Sequence, residues 1–331
     1  MKVRWGVLGA AGIATKHVIP AMQRCTHARI AAIASRDRAR AEAVAAQFRI
    51  ERAHGSYEEL LADEGVDAVY IPLPNNLHVA WSIRAIESGK HVLCEKPVGL
   101  DAREAGVLAS AAARRPALKV MEAFMYRFHP QWQRTRQLVA DGAIGEVRAI
   151  QTFFSYFNVD PQNVRNIAEA GGGALMDIGC YGVSVARFIF GREPGRVIAL
   201  SERDPAFGTD RTTAATLDFG GLAATFTCAT QLARHQRVDV VGTEGRIDIE
   251  IPFNAPIDRS TSIWLQRGTK LEKIAFARCN QYTIQGDCFS ESILNGTDVP
   301  FPIADAVGNM QAIDAVRESA ARGLWVDVPQ C

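Results

Sequence analysis

A lysine, an aspartate and a tyrosine stand where they could carry proton-transfer chemistry. Lys96 follows an apolar run within Glu95-Lys96-Pro97, and its ammonium could hydrogen-bond a substrate oxygen and lower the pKa of a neighbouring phenol. Asp177 and Tyr181 are four residues apart, so on a helix they share one face. A carboxylate and a phenol placed together can orient a hydroxyl group and move its proton. The alternatives are a surface lysine before a turn and a buried tyrosine with an aspartate favoured by the helix dipole.

A small-residue turn near the N-terminus predicts a nucleotide cofactor. The apolar strand Arg4–Leu8 leads into a turn that would expose backbone N–H groups at a helix N-terminus, where a pyrophosphate can bind. Against the fingerprint Gly-x-Gly-x-x-Gly, two of the three glycines are alanine, and Ala11 tightens the approach to the pyrophosphate. An ordinary strand-to-helix turn is the alternative. The candidate cofactor-binding residues of this turn are Gly9, Ala11, Gly12 and Ile13.

The end of the second predicted strand bears on the choice between NAD and NADP. Its sequence is Ser35-Arg36-Asp37-Arg38. NAD enzymes tend to place an acidic residue there to bind the ribose hydroxyls, whereas a hydroxyl and a guanidinium suit a 2′-phosphate. Ser35, Arg36 and Arg38 therefore favour NADP, and Asp37 keeps NAD open if the register shifts by two residues. A solvated charged turn is the alternative.

The pattern of apolar segments predicts two domains. Short β-branched strands alternate with amphipathic helices over residues 1–124, which is typical of a Rossmann doubly wound parallel sheet. Residues 125–331 carry longer strand-like runs joined by tight turns, which predict an α/β domain with an open, mostly antiparallel sheet. The interpretation leaves open whether the C-terminal helix packs back on the first domain. The segment after the fourth strand is expected to line the nicotinamide side of the cofactor with Pro72, Leu73, Asn75 and His78. For His78, the alternative is a histidine at the start of a helix that contacts no ligand.

Composition excludes several classes of partner. The chain has 331 residues, of which 48% are hydrophobic and 22% charged, and its net charge is +1. Such a charge creates no broad field that would attract nucleic acid or an anionic membrane. We expect no apolar run of the ~18 residues that span a bilayer and no export signal before the first strand. The protein is therefore expected to be cytoplasmic. The 7 cysteines and 7 histidines are dispersed, so we expect free thiols and no metal site.

Four features, in this order and at these spacings, resemble the glucose–fructose oxidoreductase, inositol dehydrogenase and MocA (Gfo/Idh/MocA) family. The residues that carry the likeness are Gly9–Ala14, Glu95–Pro97, Glu122–Pro130 and Gly171–Gly182, and the likeness covers essentially the whole chain. The resemblance implies an NAD(P)-dependent oxidoreductase acting on a sugar, polyol or diol, in a homodimer or homotetramer. It implies that residues 125–331 bind substrate and form the oligomer.

The resemblance also implies roles for single residues. Lys96 would be the catalytic lysine that contacts substrate and nicotinamide ribose, Glu95 would lie beside the nicotinamide, and Pro97 would follow a cis bond. Asp177 would orient the substrate. Many relatives carry histidine where this chain has Tyr181, and tyrosine there points to the branch of NADP-dependent D-xylose dehydrogenase and dihydrodiol dehydrogenase. Weaker candidates for sugar contacts, for which a structural role is an equal alternative, are Arg127, His129 and Asn158.

These roles combine into one expected reaction, a reversible hydride transfer between NADP and a sugar carbon, foremost C1 of an aldopyranose such as D-xylose. Tyr181 removes the hydroxyl proton as hydride leaves for nicotinamide, Lys96 holds the oxygen and lowers the phenol's pKa from about 10, and Asp177 fixes a neighbouring hydroxyl. The alternative enzymes are a trans-dihydrodiol dehydrogenase and a keto-sugar reductase. The alternative outside enzymes is a protein that senses a sugar or nucleotide.

Overall fold

The computed structural model describes residues 1–330 of the chain. Its helices are α1 (Ile19–Met22), α2 (Arg38–Phe48), α3 (Tyr57–Leu61), α4 (Asn75–Glu87), α5 (Ala102–Ala113), α6 (Pro130–Ala140), α7 (Cys180–Phe190), α8 (Gln281–Asn295) and α9 (Ile303–Arg322). Its strands are β1 (Val3–Leu8), β2 (Ala28–Ala34), β3 (Arg52–His54), β4 (Ala68–Ile71), β5 (His91–Cys94), β6 (Val120–Glu122), β7 (Val147–Phe157), β8 (Arg196–Arg203), β9 (Asp210–Asp218), β10 (Ala223–Ala229), β11 (Gln231–Gly242), β12 (Gly245–Ile249), β13 (Thr261–Arg267), β14 (Lys270–Phe276) and β15 (Val326–Asp327).

The chain folds into two compact units that are not contiguous in sequence. The first unit joins Met1–Met125 to Asn280–Val307, and the second joins Tyr126–Cys279 to the residues from Gly308 onward. Helix α8 therefore belongs to the first unit. There the indole of Trp5 donates to the hydroxyl of Ser290 at 3.0 Å, and its ring packs on Phe289 with centroids 5.4 Å apart.

The first unit is built on a parallel sheet of six strands in the order β3-β2-β1-β4-β5-β6. This is the strand order of a dinucleotide-binding Rossmann sheet, as the sequence predicts. Strand β3 was not predicted, because its three residues, Arg52–His54, are short, polar and at the edge of the sheet. The pairing of β2 with β3 is set by Ala32 opposite Arg52 and Ala34 opposite His54.

The second unit contains a sheet of nine strands in the order β14-β13-β12-β11-β7-β10-β9-β8-β15. Only β7 and β10 run parallel, so the predicted, mostly antiparallel character is confirmed. Side chains alternate between a buried and a half-exposed face, as along β9, where Thr213, Ala215 and Leu217 are buried. Strands β13 and β14 were not predicted, because three consecutive apolar residues in β13 and the exposed charged residues of β14 hide the alternation.

Helix α7 covers the buried face of this sheet, and two glycines allow it to lie close. A Cβ on Gly182 would stand 2.7 Å from the Cβ of Phe226, and one on Gly179 would stand 2.8 Å from the sulfur of Cys228. The segment from Ala168 to Phe190 is long and apolar enough to cross a membrane, contrary to the expectation that no such run exists. Of the most apolar 18 residues of this segment, 89% are buried within the fold, so packing on the sheet accounts for the apolar residues.

Candidate functional site

In the first unit, the turn after β1 has the geometry of a backbone cradle. Gly9 has a φ of +116°, which side-chain-bearing residues rarely adopt, and its N–H donates to the carbonyl of Ala34 at 2.9 Å. A Cβ there would also meet the side chain of Leu73 at 3.0 Å. Gly12 is exposed at the first helical residue, with no atom within 4 Å of where its Cβ would be. The turn fits the close approach of a dinucleotide, and its other predicted members, Ala11 and Ile13, are half-exposed.

The helix that follows this turn contains an irregular segment. Residues Ala14–Val18 form a π-helical turn before Pro20, which lacks the N–H that a regular helix would use. The sequence predicts a helix over residues 13–25 with a kink or early end at Pro20. The structure has a widened turn just before Pro20 and ends α1 at Met22.

Asp37 is used as a helix cap at the position that bears on cofactor choice. Its carboxylate accepts from the N–H of Arg40 at 3.3 Å at the start of α2. Ser35 is buried, and its hydroxyl accepts from the N–H of Asp37 at 3.2 Å. Because this carboxylate is committed to the helix, the local structure favours the interpretation with a 2′-phosphate over the one with Asp37 on ribose.

Three arginines surround the same strand end in different ways. Arg36 hydrogen-bonds the phenol of Tyr57. Burial raises the pKa of Tyr57, and this effect exceeds the lowering by the positive charge of Arg36. Arg40 donates to the carbonyl of Ala10 at 2.8 Å and so reaches the glycine turn. Arg38 points to Glu59, with a separation of 3.0 Å between the charged atoms. Arg40 was not predicted as a cofactor-binding residue. Its place in the first turn of α2, four residues after Arg36, was the available signal.

Lys96 leaves the end of β5 in a loop that is tied to neighbouring strands. The carboxylate of Glu95 accepts from the hydroxyl of Tyr70 at 2.7 Å, and from the backbone N–H of Lys96 at 3.3 Å. Burial, together with the charge of Glu95, holds the pKa of Tyr70 well above its ordinary value. The peptide bond between Lys96 and Pro97 is cis, as the resemblance implied. Helix α8 adds Tyr282, whose pKa is raised by burial and by Glu95.

His78 lies inside the first unit rather than on its surface. Only 1% of it is exposed, and its two ring nitrogens lie 2.7 Å from the carbonyl of Leu73 and 2.8 Å from that of Pro97. Burial lowers its pKa to about 4. His78 therefore lies between the segment after β4 and the Lys96 turn, and its role toward a cofactor stays a prediction. Of the other predicted residues of this segment, Pro72 and Leu73 are buried, and Asn75 is half-exposed at the start of α4.

In the second unit, Asp177 is the centre of a small polar network. Its Oδ2 accepts from the hydroxyl of Tyr156 at 2.6 Å and lies 2.8 Å from the Nε of Arg165. Burial and the charge of Asp177 raise the pKa of Tyr156, and the same carboxylate raises the pKa of Arg165. Neither partner was predicted. Tyr156 follows Phe154 on the inward face of β7, so strand alternation was the available signal, whereas Arg165 lies in an irregular loop.

Tyr181 stands one turn beyond Asp177, in a wall of aromatic rings. It is 4% exposed, and its ring centroid lies 4.8 Å from that of Phe253, 5.7 Å from Tyr126 and 5.8 Å from Phe154. The turn that joins the two residues, Leu175–Gly179, is π-helical, a form that recurs at functional sites. The unit thus carries a carboxylate and a phenol four residues apart along one continuous helical segment.

The three weaker candidates have mainly structural surroundings. Arg127 is buried and donates to the hydroxyl of Ser184 at 2.8 Å. His129 caps α6, where its Nδ1 accepts from the N–H of Gln131 at 3.1 Å, and burial lowers its pKa to about 4. Asn158 accepts from the N–H of Asp160 at 2.9 Å within its own turn. Among residues 1–330, no group of three or more histidine, cysteine or acidic side chains could hold a metal ion.

Each of the two units contains a segment that matches a model of a known protein family. Residues 3–124 match the model of an oxidoreductase family with an NAD-binding Rossmann fold, and residues 132–248 match the GFO/IDH/MocA C-terminal domain. The chain is 46% identical to the uncharacterized oxidoreductase ORF334 of Rhizobium meliloti over 98% of this chain and 99% of that protein. It is 37% identical to D-xylose 1-dehydrogenase (NADP(+)) 2 of Haloferax volcanii, again over 98% of this chain and 99% of the relative.

A solved structure shows the same architecture. The 3-ketoreductase KijD10 of Actinomadura kijaniata, in complex with NADP and TDP-benzene, superposes with a TM-score of 0.90 at 31% identity, over 96% of this chain and 98% of that one. Two models of one family match most of the chain, and a dehydrogenase that is 37% identical aligns along nearly all of it. The chain therefore belongs to the Gfo/Idh/MocA family of NAD(P)-dependent oxidoreductases.

Proposed function

We propose that this protein is an NADP-dependent aldose 1-dehydrogenase that transfers a hydride between C1 of a D-xylose-like sugar and the nicotinamide. The observation that carries the proposal is the pair of Asp177 and Tyr181 on one helix, with Asp177 held by Tyr156 at 2.6 Å. A carboxylate and a phenol so placed can bind adjacent hydroxyls and move one proton. The D-xylose dehydrogenase of Haloferax volcanii, alike along nearly the whole chain, supports a sugar as the substrate.

Each catalytic residue has a defined task in this proposal. Tyr181 accepts the proton of the C1 hydroxyl, and Asp177 accepts a hydrogen bond from a neighbouring hydroxyl and fixes the ring. Lys96 donates to the reacting oxygen, and its positive charge favours the ionised phenol. NADP, when bound, supplies the hydride acceptor. Glu95, fixed by Tyr70, would face the nicotinamide.

The proposed preference for NADP over NAD depends on the end of β2. Arg36 and Arg40 would present guanidinium groups to a 2′-phosphate, and the buried hydroxyl of Ser35 would add a hydrogen bond. Asp37 caps α2, so its carboxylate would not serve a ribose. Arg38 would contribute less, because it is paired with Glu59 at 3.0 Å.

The proposal is tested by substrate and cofactor profiling. Purified protein is incubated with a panel of aldoses, polyols and diols, with NADP or NAD, and reduced nicotinamide is followed by its absorbance. We expect the highest kcat/KM with an aldopentose and NADP. A profile in which no aldose is oxidised with either cofactor would contradict the proposal.

A keto-sugar reductase is the second candidate function. It is favoured by the likeness to KijD10, which was solved with NADP and a TDP-linked ligand. Reduction of a nucleotide-linked keto-sugar with NADPH, without oxidation of free aldoses, would identify this activity, and oxidation of a trans-dihydrodiol would identify a diol dehydrogenase. A sensor of sugar or nucleotide is disfavoured, because the chain keeps Lys96, Asp177 and Tyr181 together.

We further propose that residues 1–124, together with Asn280–Val307 of the same unit, form the NAD(P)-binding domain, and that the rest of residues 125–331 binds substrate and oligomerises. The enzyme is proposed to be a cytoplasmic homodimer or homotetramer. The support for oligomerisation is the half-exposed face of the nine-stranded sheet, where Leu200 is 75% exposed. Light scattering after gel filtration measures the mass, and Leu200→Glu should lower it if that face forms the interface. A monomeric mass for the unaltered protein would contradict this part.

A further inference from the structure

A loop in the second unit brings a guanidinium against the carboxylate that is proposed to orient the substrate. The Nε of Arg165 lies 2.8 Å from Oδ2 of Asp177, and the side chain of Arg165 is 42% exposed while that of Asp177 is 13% exposed. The residue lies in the 3-10 turn Val164–Asn166. Asn163 caps that turn by accepting from the N–H of Arg165 at 3.1 Å. The backbone of Arg165 is therefore fixed as well as its charged end.

The glycines before the helix allow this approach. A Cβ on Gly172 would stand 2.5 Å from the carbonyl oxygen of Arg165, which is closer than real Cβ atoms come. Gly173 has a φ of +116°, and its N–H donates to the same carbonyl at 2.8 Å. The carbonyl of Gly173 in turn accepts from the N–H of Asp177 at 3.0 Å. One short stretch of backbone thus sets both members of the ion pair.

The charged and titratable groups around Asp177 and Tyr181 within this unit come from several elements. Tyr156 of β7 donates to Asp177 at 2.6 Å, and Tyr126 has its ring 5.7 Å from that of Tyr181. Asp210 of β9 accepts from the N–H of Leu175 at 2.7 Å, and burial raises its pKa. The thiol of Cys228 on β10 is buried, with its pKa raised by that burial and then by Asp210 and Asp177. The positive charges come from Arg165 beside Asp177 and from Arg317, which lowers the pKa of Asp210 against the effect of burial.

We propose that Arg165 is a positioning residue, which keeps Asp177 ionised and aligned for the substrate hydroxyl and offsets its negative charge at Tyr181. This inference rests on the proposed function, because the tasks of Asp177 and Tyr181 are taken from it. Without a cation beside it, the Asp177 carboxylate would disfavour formation of a second negative charge on the phenol one turn away. Arg165 therefore acts through Asp177 and is not assigned a contact with the substrate.

The first test uses variants that separate charge from packing. Arg165→Met removes the charge, Arg165→Lys keeps it, and Tyr156→Phe removes only the neutral hydrogen bond to Asp177. In the oxidation direction, we expect Arg165→Met to move the pH at which kcat/KM rises upward by about one unit. Arg165→Lys and Tyr156→Phe should leave that pH unchanged, and the double change Arg165→Met with Asp177→Asn should return it. An unmoved pH profile in Arg165→Met, or an equal shift in Arg165→Lys, would overturn the proposal.

The second test does not depend on activity. The carboxyl carbon of Asp177, assigned by its loss in Asp177→Asn, is followed by NMR in protein labelled with [13C]aspartate. Its titration midpoint should rise by about one unit or more in Arg165→Met, because an opposite charge within a few ångströms favours the ionised form. An unchanged midpoint would refute the role of Arg165 whether or not the enzyme oxidises aldoses. Absence of aldose oxidation with a shifted midpoint would instead refute the proposed function alone.

Discussion

At the scale of single residues, the candidate catalytic groups are held by neighbours that the sequence pattern does not name. Asp177 has Tyr156 and Arg165, and Glu95 has Tyr70, each within hydrogen-bonding distance. The positions of Asp177 and Glu95 follow from motifs in the sequence. Their partners come from other strands or loops, so only the folded chain identifies them.

Replacement of Lys96 by methionine should abolish most of the turnover. The change keeps the length of the side chain but removes the ammonium that would hold the reacting oxygen, and loss of such a group typically costs about 100-fold to 10,000-fold in rate. The measurement is kcat/KM with the best aldose and NADP, with circular dichroism to confirm the fold. Lys270→Met, on an exposed position of β14, is the control and should remain fully active. Unchanged turnover in Lys96→Met would remove lysine from the mechanism.

Replacement of Arg40 by methionine should weaken NADP binding at least about tenfold and leave NAD binding nearly unchanged, because a charge-assisted contact with phosphate is worth about 1.5–3 kcal/mol. Calorimetry with adenosine 2′,5′-bisphosphate and with 5′-AMP measures the two ribose forms directly. Arg38→Met, which removes the partner of Glu59, is the matched control and should have a smaller effect. Equal losses for both ligands would show that Arg40 acts only by holding the Ala10 carbonyl.

His129 should make the fold less stable in mild acid. Its pKa in the folded protein is about 4, below the ordinary value of 6.5, so the contribution is complete above pH 6.5. As pH falls from there toward 4, the unfolded chain binds a proton that the folded one does not, at a cost of up to about 3 kcal/mol. His129→Asn keeps a capping side chain and removes the titration. In urea denaturation, the free energy of unfolding of this variant should therefore fall less between pH 6.5 and pH 4 than that of the unaltered protein. The same pH dependence in both proteins would contradict the role of His129.

At the scale of elements, much of the architecture could be predicted from periodicity and caps. Ser56 followed three residues later by Glu59 predicts a capping box, and half of it is confirmed. Ser56 accepts from the N–H of Glu59 at 3.1 Å, but the carboxylate of Glu59 accepts from Gly55 and pairs with Arg38. Strand β3 was missed because an edge strand of three polar residues carries no alternation. Arg165 was missed because its loop has no period, and its position depends on backbone contacts with Gly172 and Gly173.

Gly172→Ala should disturb the second unit more than a glycine substitution elsewhere. The added Cβ would lie 2.5 Å from the carbonyl of Arg165, so the loop must move away from Asp177. We expect a loss of about 1–3 kcal/mol in the free energy of unfolding, by overpacking, together with reduced kcat. Gly106→Ala is the control, because its Cβ meets nothing within 4 Å on helix α5, and it should stabilise the protein slightly. Chemical denaturation compares the two variants, and equal stability would contradict the close approach.

At the scale of the whole molecule, the two sheets divide the chemistry. The parallel sheet of the first unit presents the glycine turn, the arginines and Lys96 at its strand ends, where ligands of such sheets bind. The mixed sheet of the second unit supports the helix that carries Asp177 and Tyr181. Sequence patterns were sufficient to predict the two kinds of sheet, because alternation and helix caps are local. The segment Asn280–Val307 was not predicted to join the first unit, since membership of a core depends on contacts with residues far away in sequence.

The return of that segment has a consequence for attempts to cut or recombine this enzyme. Trp5 is fully buried, and part of its cover comes from Phe289 and Ser290, almost at the other end of the polypeptide. A fragment ending near residue 124 would leave this indole facing water and its N–H without the serine. Chimaeras with other members of the family should therefore exchange the nucleotide-binding half as two linked pieces of gene, with helix α8 travelling alongside the N-terminal portion.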